Sequence, residues 1–507
     1  MGKILSIINI AFFIELLFVI LIAIGILPRE SALFLAIFLP TILIISSLED
    51  SVMFTARSIP LFLALPITES FDNFNIWRIL VLILFVKFIL EARVISFAMF
   101  SKGIARASLK QFRLEILISL LTFIAILSLL KAEDPIAGIK RIIYFLNLGM
   151  LFFVVRHVIN RENFMRLGRN FIFSGIFIAS IGVLQLILAY LMPINNFIEF
   201  WALTIEKNLY GNAWANIAIS ANTWFAYFNG TIHLRMFSSF PDSHSFPLYL
   251  LIVSVFVSTF IIFRKTVSQS CLPAYFLLGI FSLGIVLSGT RGIWAATALP
   301  ILIIGFYYFK KIAPKEIILK LTLPLIFFIV ALIISQPIFN SKQFQLIENE
   351  TEESRVLINR LASIFDAGET SNQGRIWIWK ESAKSIIKNP ALGVGIGNFP
   401  AVLKQNIALA KAGSSAHNLF LQILAEIGIF AFAVFLAIIY EIYKKIKNLS
   451  QDENVLIKFF GLFSILYIAW IIAYSMTDPA IFDERVFLGL MILVGAIYGI
   501  SRERKIF

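Results

Sequence analysis

A chain of 507 residues would ordinarily divide into roughly three or four soluble domains. Its composition excludes that: 59% of residues are hydrophobic, only 14% are charged, and the mean hydropathy is +0.90, where soluble chains carry about 25% charged residues. The single Cys271 excludes an internal disulfide and a cysteine-based zinc site, and four histidines leave little for a histidine-rich metal centre.

The sequence predicts an all-α polytopic transmembrane bundle. Apolar runs long enough to span a bilayer fall at about 4–27, 31–48, 76–92, 114–130, 139–158, 170–192, 246–263, 273–289, 292–309, 316–335, 418–443, 456–475 and 482–500. The first run, after Lys3, is too long for a signal-peptide core and lacks a small-residue cleavage pattern. The stretch 53–68 is apolar but carries Arg57, Pro60 and Pro66, which suits a short span, a broken helix or an interfacial segment.

Basic residues orient the chain. Lys102, Arg106, Lys110 and Arg113 mark one side. Arg161, Arg166 and Arg169 return to it two crossings later, followed by Arg264 and Lys265, then Lys310, Lys311 and Lys315. Lys444, Lys445 and Lys447 follow, then Arg502, Arg504 and Lys505. This regularity accounts for the net charge of +13 without nucleic acid. It requires eleven crossings from residue 76 onward and one or three before it, so 12 or 14 with both termini cytoplasmic. Three regions result: 1–335, a bundle with an outer loop at 193–245; 336–417, a large outer loop; and 418–507, the last spans and a cytoplasmic tail.

Both long loops lie outside, and long ordered loops tend to carry function. The second opens acidic (Glu348, Glu350, Glu352, Glu353), with Arg355, Arg360 and Arg375 following. From Gly374 to Lys388 it predicts an amphipathic helix, its apolar face formed by Ile376, Trp379, Ala383, Ile386 and Ile387 and its end set by Asn389-Pro390. Gly393-Val394-Gly395-Ile396-Gly397 has no strand before it, so it is no dinucleotide fingerprint. It is a tight turn whose backbone must approach something, whether a ligand or merely the surface. His417 precedes the next span, where the free N–H groups of the helix start favour a proton-accepting ring; the plainer reading is a capping histidine. Ser288-Gly289-Thr290-Arg291-Gly292 sets a guanidinium beside a helix start, apt for an anion, although an arginine snorkelling to headgroups would look the same. Arg235 precedes a helix start near Ser245, and Asp242 could cap that helix or orient a partner. Together, Arg235, Arg291, Arg375 and His417 suit a phosphate-bearing substrate at the membrane surface.

Three elements resemble the O-antigen ligase and polymerase superfamily: the S-G-T-R-G turn at 288–292, the run from Arg375 through Asn389-Pro390 to Phe399, and the H-x10-G spacing from His417 to Gly428. The resemblance covers about 235–500, and the hydropathy layout extends it to the whole chain. It implies a GT-C-like bundle in the bacterial inner membrane that performs inverting, metal-independent glycosyl transfer at the periplasmic face, with no cofactor. The donor it implies is a glycan on undecaprenyl diphosphate. The acceptor is a lipid A–core sugar in a ligase, or another lipid-linked repeat unit in an O-antigen or capsule polymerase. His417 then corresponds to the histidine that activates the acceptor hydroxyl, Arg291 to a catalytic arginine on the diphosphate, and Arg235 and Arg375 to further diphosphate-binding arginines.

Two rival readings remain. A metal-dependent glycosyltransferase could recruit Glu49, Asp50, Glu69 and Asp72. A transporter or flippase could use the intramembrane charges Glu15, Lys87 and Glu91, though the large patterned loop and the lack of visible repeats speak against it.

Overall fold

In a computed structural model, the chain is described over residues 7–61, 63–67, 75–100, 113–221, 223–228, 231–266, 269–341, 343–344, 361–364, 366, 368, 370–404 and 415–502. Lys102, Arg106, Lys110, Glu69, Asp72, Arg504, Lys505, the four acidic residues at 348–353, Arg355 and Arg360 lie outside these. The architecture is all-α apart from one two-stranded hairpin. Its principal helices are α1 (Ile7–Ala23), α2 (Ala32–Ile45), α3 (Leu48–Ser58), α4 (Ile76–Phe100), α5 (Arg113–Ser128), α6 (Pro135–Val158) and α7 (Phe164–Leu191). After the outer loop come α8 (Ser245–Thr266), α9 (Leu272–Leu287), α10 (Arg291–Ala295), α11 (Ala298–Phe309) and α12 (Lys315–Phe339). The chain ends with α13 (Thr370–Lys388), α14 (Leu419–Leu449), α15 (Val455–Tyr474) and α16 (Glu484–Ile500). Among the described residues, eight helices are long and apolar enough to cross a membrane, and this is a multi-pass membrane protein.

The core forms around α8. Its sequence is apolar on every side, with no polar stripe to turn outward, and such a helix belongs at a bundle's centre; 89% of its spanning window is buried. Its hydroxyls are satisfied within the bundle: Ser254 and Thr259 donate to carbonyls one turn back, and Ser258 meets the Tyr467 hydroxyl of α15 at 3.0 Å.

The ambiguous 53–68 stretch is a broken helix. α3 starts beside Arg166, which pairs with Glu49 at 2.8 Å and with Asp50. It ends before Pro60, and the extended chain beyond reaches the opposite end, where the Ala64 N–H donates to Leu209. The chain therefore passes through the bundle three times before Ile76. The basic loops gather at one end, tied by Arg161–Asp452, Arg156–Glu115 and Arg113–Glu441 pairs.

The first long loop is structured. Short helical pieces run from Ile194 to Ala221, and the hairpin β1 (Phe225–Phe228) and β2 (Thr231–Leu234) follows. Phe197, Trp201, Trp224, Phe237 and Phe344 form its own small core. In the second loop, α13 starts at Thr370, four residues before the expected Gly374, and its buried face differs from the expected one. Ile378, Trp379, Ser382 and Ile386 turn inward, while Ile376, Ala383 and Ile387 are exposed. The reason is Trp379, whose indole N–H donates to the Ala416 carbonyl at 3.0 Å and fixes the helix rotation.

Of the rival charge sets, Glu69 and Asp72 lie outside the described residues, and Lys87 and Glu91 are near enough to interact. Glu49 and Asp50 are paired with Arg166 at the basic end, away from the outer loops. Lys87 donates to the carbonyls of Leu43, at 2.9 Å, and Ser46, where α2 ends, a C-terminal cap.

Candidate functional site

The N-terminus of α14 is capped by Asn418, not by His417. The Asn418 side-chain oxygen accepts from the N–H groups of Phe420 and Leu421, the ordinary N-cap contact. His417 sits one residue earlier in a left-handed conformation, φ 45°, uncommon outside glycine. Neighbours hold it there: the Ala416 N–H donates to Gln422 Oε1 at 3.0 Å while the Ala416 carbonyl takes the Trp379 indole. The imidazole, about one-third exposed, thereby brings Nδ1 to 3.3 Å from Asp478 Oδ2.

Asp478 lies in the tight connection between α15 and α16. The Leu419 N–H donates to the Ser475 carbonyl at 2.8 Å and ties that connection to the start of α14.

A second histidine meets the same carboxylate. Asp242 caps α8 as expected, accepting from the His244 and Ser245 N–H groups at 2.8 and 2.7 Å. This directs His244 Nδ1 to 3.5 Å from Asp478 Oδ2 and 3.3 Å from the Tyr474 hydroxyl. Its Nε2 lies 3.5 Å from Arg235 Nη2. A guanidinium only donates, so Nε2 is the unprotonated nitrogen and Nδ1–H faces the carboxylate.

Arg235 follows β2, with its guanidinium donating to the Ser288 carbonyl (3.3 Å) and the Thr290 hydroxyl (3.2 Å) of the S-G-T-R-G turn. That turn is packed tightly on the Asp478 connection: a Cβ built on Gly292 would lie 2.2 Å from Thr477 Oγ1. Arg291 donates to Ser363 Oγ at 2.7 Å, linking the turn to the large loop. Arg375, on α13, is close enough for its charge to act on both Asp478 and His244.

Burial and the surrounding cations set the charges. Burial holds His244 down at about 3 against the opposing pull of Asp478, and Arg235, Arg375 and His417 lower it further. Burial works against the Asp478 carboxylate, yet His244, His417 and Arg375 hold it below the ordinary carboxylate range. Burial, with Asp483 and Asp478 nearby, raises Asp242 to about 6. Burial lowers Arg235 to about 10.

The glycine-rich turn approaches protein backbone. Gly393, Gly395 and Gly397 all have positive φ, and a Cβ on Gly393 would lie 2.4 Å from the Ala425 carbonyl oxygen. α14 itself breaks at Gly428, φ 80°. The freed groups are recovered across the two segments: Val394 N–H to Ala425, Gly395 N–H to Glu426 and Ile429 N–H to Pro390, each at 2.8–2.9 Å. The Gly-x-Gly-x-Gly run and the H-x10-G element are therefore one interlocked unit with His417 at its end.

Residues 275–436 match the model of the O-antigen ligase family. The matched segment carries Arg291, Arg375, His417 and Gly428, and it is narrower than the 235–500 stretch over which the motifs suggested resemblance. Arg235, His244 and Asp478 lie outside it and reach the site through the fold. Over 132 residues, 23% of this chain, the sequence is 29% identical to a Rickettsia conorii protein whose name proposes a polysaccharide ligase. The alignment spans only 30% of that protein's length.

Asp478 and His244 escaped the sequence reading. Met476-Thr477-Asp478-Pro479 looks like an ordinary connection between spans, and nothing local marks its carboxylate. His244 stood in view beside Asp242, and its place two residues after an N-cap aspartate was the available signal.

Proposed function

We propose that the protein is an O-antigen ligase that transfers a glycan from undecaprenyl diphosphate to a lipid A–core sugar at the periplasmic face of the bacterial inner membrane. The observation that carries this reading is the His417–Asp478 contact, set among Arg235, Arg291 and Arg375 at the end opposite the basic loops. In this mechanism His417 Nδ1–H faces Asp478, which leaves Nε2 to take the proton of the acceptor hydroxyl. The hydroxyl oxygen forms a bond to the anomeric carbon from the face opposite the leaving group. The bond from that carbon to the diphosphate breaks, and undecaprenyl diphosphate departs with the electron pair. The three arginines stabilise its growing charge; losing one such donor costs about 100- to 1,000-fold. The base contributes about 100- to 10,000-fold. On this reading arginine charge does at the leaving group what a divalent metal would do, and no metal requirement is expected.

The test is product formation by purified protein in detergent, where no second compartment exists. Transfer from undecaprenyl-diphosphate glycan to lipid A–core, unaffected by EDTA, is the expected result. Extension of the donor glycan without lipid A–core would instead identify a polymerase, and no product with either acceptor would refute the transferase reading.

A further inference from the structure

Arg235 and Asp478 carry opposite charges in one part-buried site, and the Asp478 charge reaches Arg235. They do not pair. The Arg235 guanidinium is held by three neutral acceptors: the Ser288 carbonyl at 3.3 Å, the Thr290 hydroxyl at 3.2 Å and His244 Nε2 at 3.5 Å. Among the described residues it meets no carboxylate. Asp478 Oδ2 meets two imidazoles, His417 at 3.3 Å and His244 at 3.5 Å, and among the described residues no guanidinium or ammonium group. Arginine and carboxylate groups that meet in a protein frequently lock into a bidentate pair. Here the His244 ring stands between them.

That ring is fixed from several sides. The His244 backbone N–H donates to Asp242 Oδ1 at 2.8 Å, and its carbonyl accepts from the Tyr474 hydroxyl at 3.3 Å. With its proton used in that way, the Tyr474 oxygen can accept from Nδ1–H, which it meets at 3.3 Å beside Asp478. On the other side, the Thr290 hydroxyl donates to the Ser243 carbonyl at 2.8 Å and so accepts from Arg235. The opposite tautomer, or a protonated ring, would set Nε2–H against a guanidinium that cannot accept it. Burial, Arg235, Arg375 and His417 all oppose protonation, with Asp478 alone favouring it.

The two charges have separate work in the proposed reaction. Arg235 faces the departing diphosphate, and Asp478 stabilises the imidazolium that His417 becomes. A direct Arg235–Asp478 pair would neutralise both at once. A neutral ring with a donor at one end and an acceptor at the other gives each a partner without cancelling its charge.

We infer that His244 is a positioning residue that bridges Arg235 and Asp478 and keeps them from pairing with each other, so that one stays available to the donor diphosphate and the other to His417. This step rests on the transferase reading.

The bridge is measurable without turnover. NMR of the full chain in detergent, labelled with ¹⁵N-histidine, reads the four histidines. One signal, missing from His244→Gln, should stay neutral with its proton on Nδ1 from about pH 7 down to about pH 5. Protonation of that ring by about pH 5, or a proton on Nε2, would overturn the bridging role. In the transfer assay, His244→Phe keeps the ring volume but neither nitrogen. It should raise the KM for undecaprenyl-diphosphate glycan and lower kcat, each about tenfold, with the KM for acceptor unchanged. His244→Gln, which keeps a neutral donor and acceptor, should recover much of both losses. His244→Phe as active as His244→Gln would reduce His244 to packing and overturn the bridge, as would wild-type constants in both variants. Should His244→Phe fail to fold, the tautomer and charge state of the wild-type ring decide. Wild-type inactivity with donor and acceptor would refute the transferase reading, and the NMR result would still show whether the bridge exists.

Discussion

Replacing Gly428 with alanine tests the interlock that presents His417. Its φ of 80° and ψ of −177° lie in a region essentially reserved for glycine, and a side chain there costs of order 1–3 kcal/mol. The added Cβ would also lie 2.1 Å from the Ala391 carbonyl oxygen and 2.4 Å from its carbon. Both are backbone atoms, so no rotamer change relieves the clash and the 389–399 segment must move. That places at risk the three cross-segment hydrogen bonds from Ile429, Val394 and Gly395, each worth about 1 kcal/mol. The combined loss is therefore about 4–6 kcal/mol, and His417 loses its setting. The assay is thermal melting by tryptophan fluorescence in detergent, with turnover measured on the folded fraction. Gly149→Ala is the control, because a Cβ there meets nothing within 4 Å. Gly428→Ala should melt well below wild type with turnover depressed, and Gly149→Ala should match or exceed wild type in stability. If Gly428→Ala melted and turned over like wild type, the interlock would not be what holds His417.

Asp478→Asn should keep the fold and lower kcat about 100-fold or more, because the amide cannot stabilise the imidazolium that His417 becomes on taking the acceptor proton; unchanged kcat would remove Asp478 from the mechanism. Arg291→Lys should recover only part of the activity lost in Arg291→Ala, because lysine lacks the bidentate fork; turnover at matched folded protein decides, and full activity would make Arg291 a helix anchor. His244, held at about 3 when folded against about 6.5 unfolded, takes up a proton mainly on unfolding, so stability should fall as pH drops from about 6.5 toward 3. Melting temperatures across that range should fall less steeply for His244→Gln than for wild type. With Cys271 replaced by serine, cysteines placed at Lys265 and Lys384 should label from opposite sides of the membrane, and same-side labelling would contradict the topology.

The spans were legible because each is a long apolar run, and the alternating basic loops corroborated them without tertiary information. The stretch 53–68 was not, because Arg57 and Pro60 interrupt a helix that the bundle nonetheless buries. The α13 face was misjudged for a related reason: helical spacing treats Ile376 and Ile387 as core, whereas one indole hydrogen bond from Trp379 sets the rotation. At the site, the cations and His417 stood out because each sits in a motif near a helix start. Asp478 did not, since it is 61 residues beyond His417 in sequence and only the packing of α14 on the α15–α16 connection joins them. The purpose of the Gly-x-Gly-x-Gly run was also hidden, because Gly393 packs on the backbone of α14 and Gly395 and Gly397 on Ala132 and Ala137, none of which a sequence could flag.

The most direct test of the account is the turnover of purified His417→Ala with undecaprenyl-diphosphate glycan and acceptor, measured alongside donor binding. General-base action by His417 predicts a loss of at least about 100-fold in kcat with donor affinity near wild type, since Arg235, Arg291 and Arg375 remain. Near-normal turnover at pH 7 would contradict it and would make the His417–Asp478 contact a structural feature of the α14 entry.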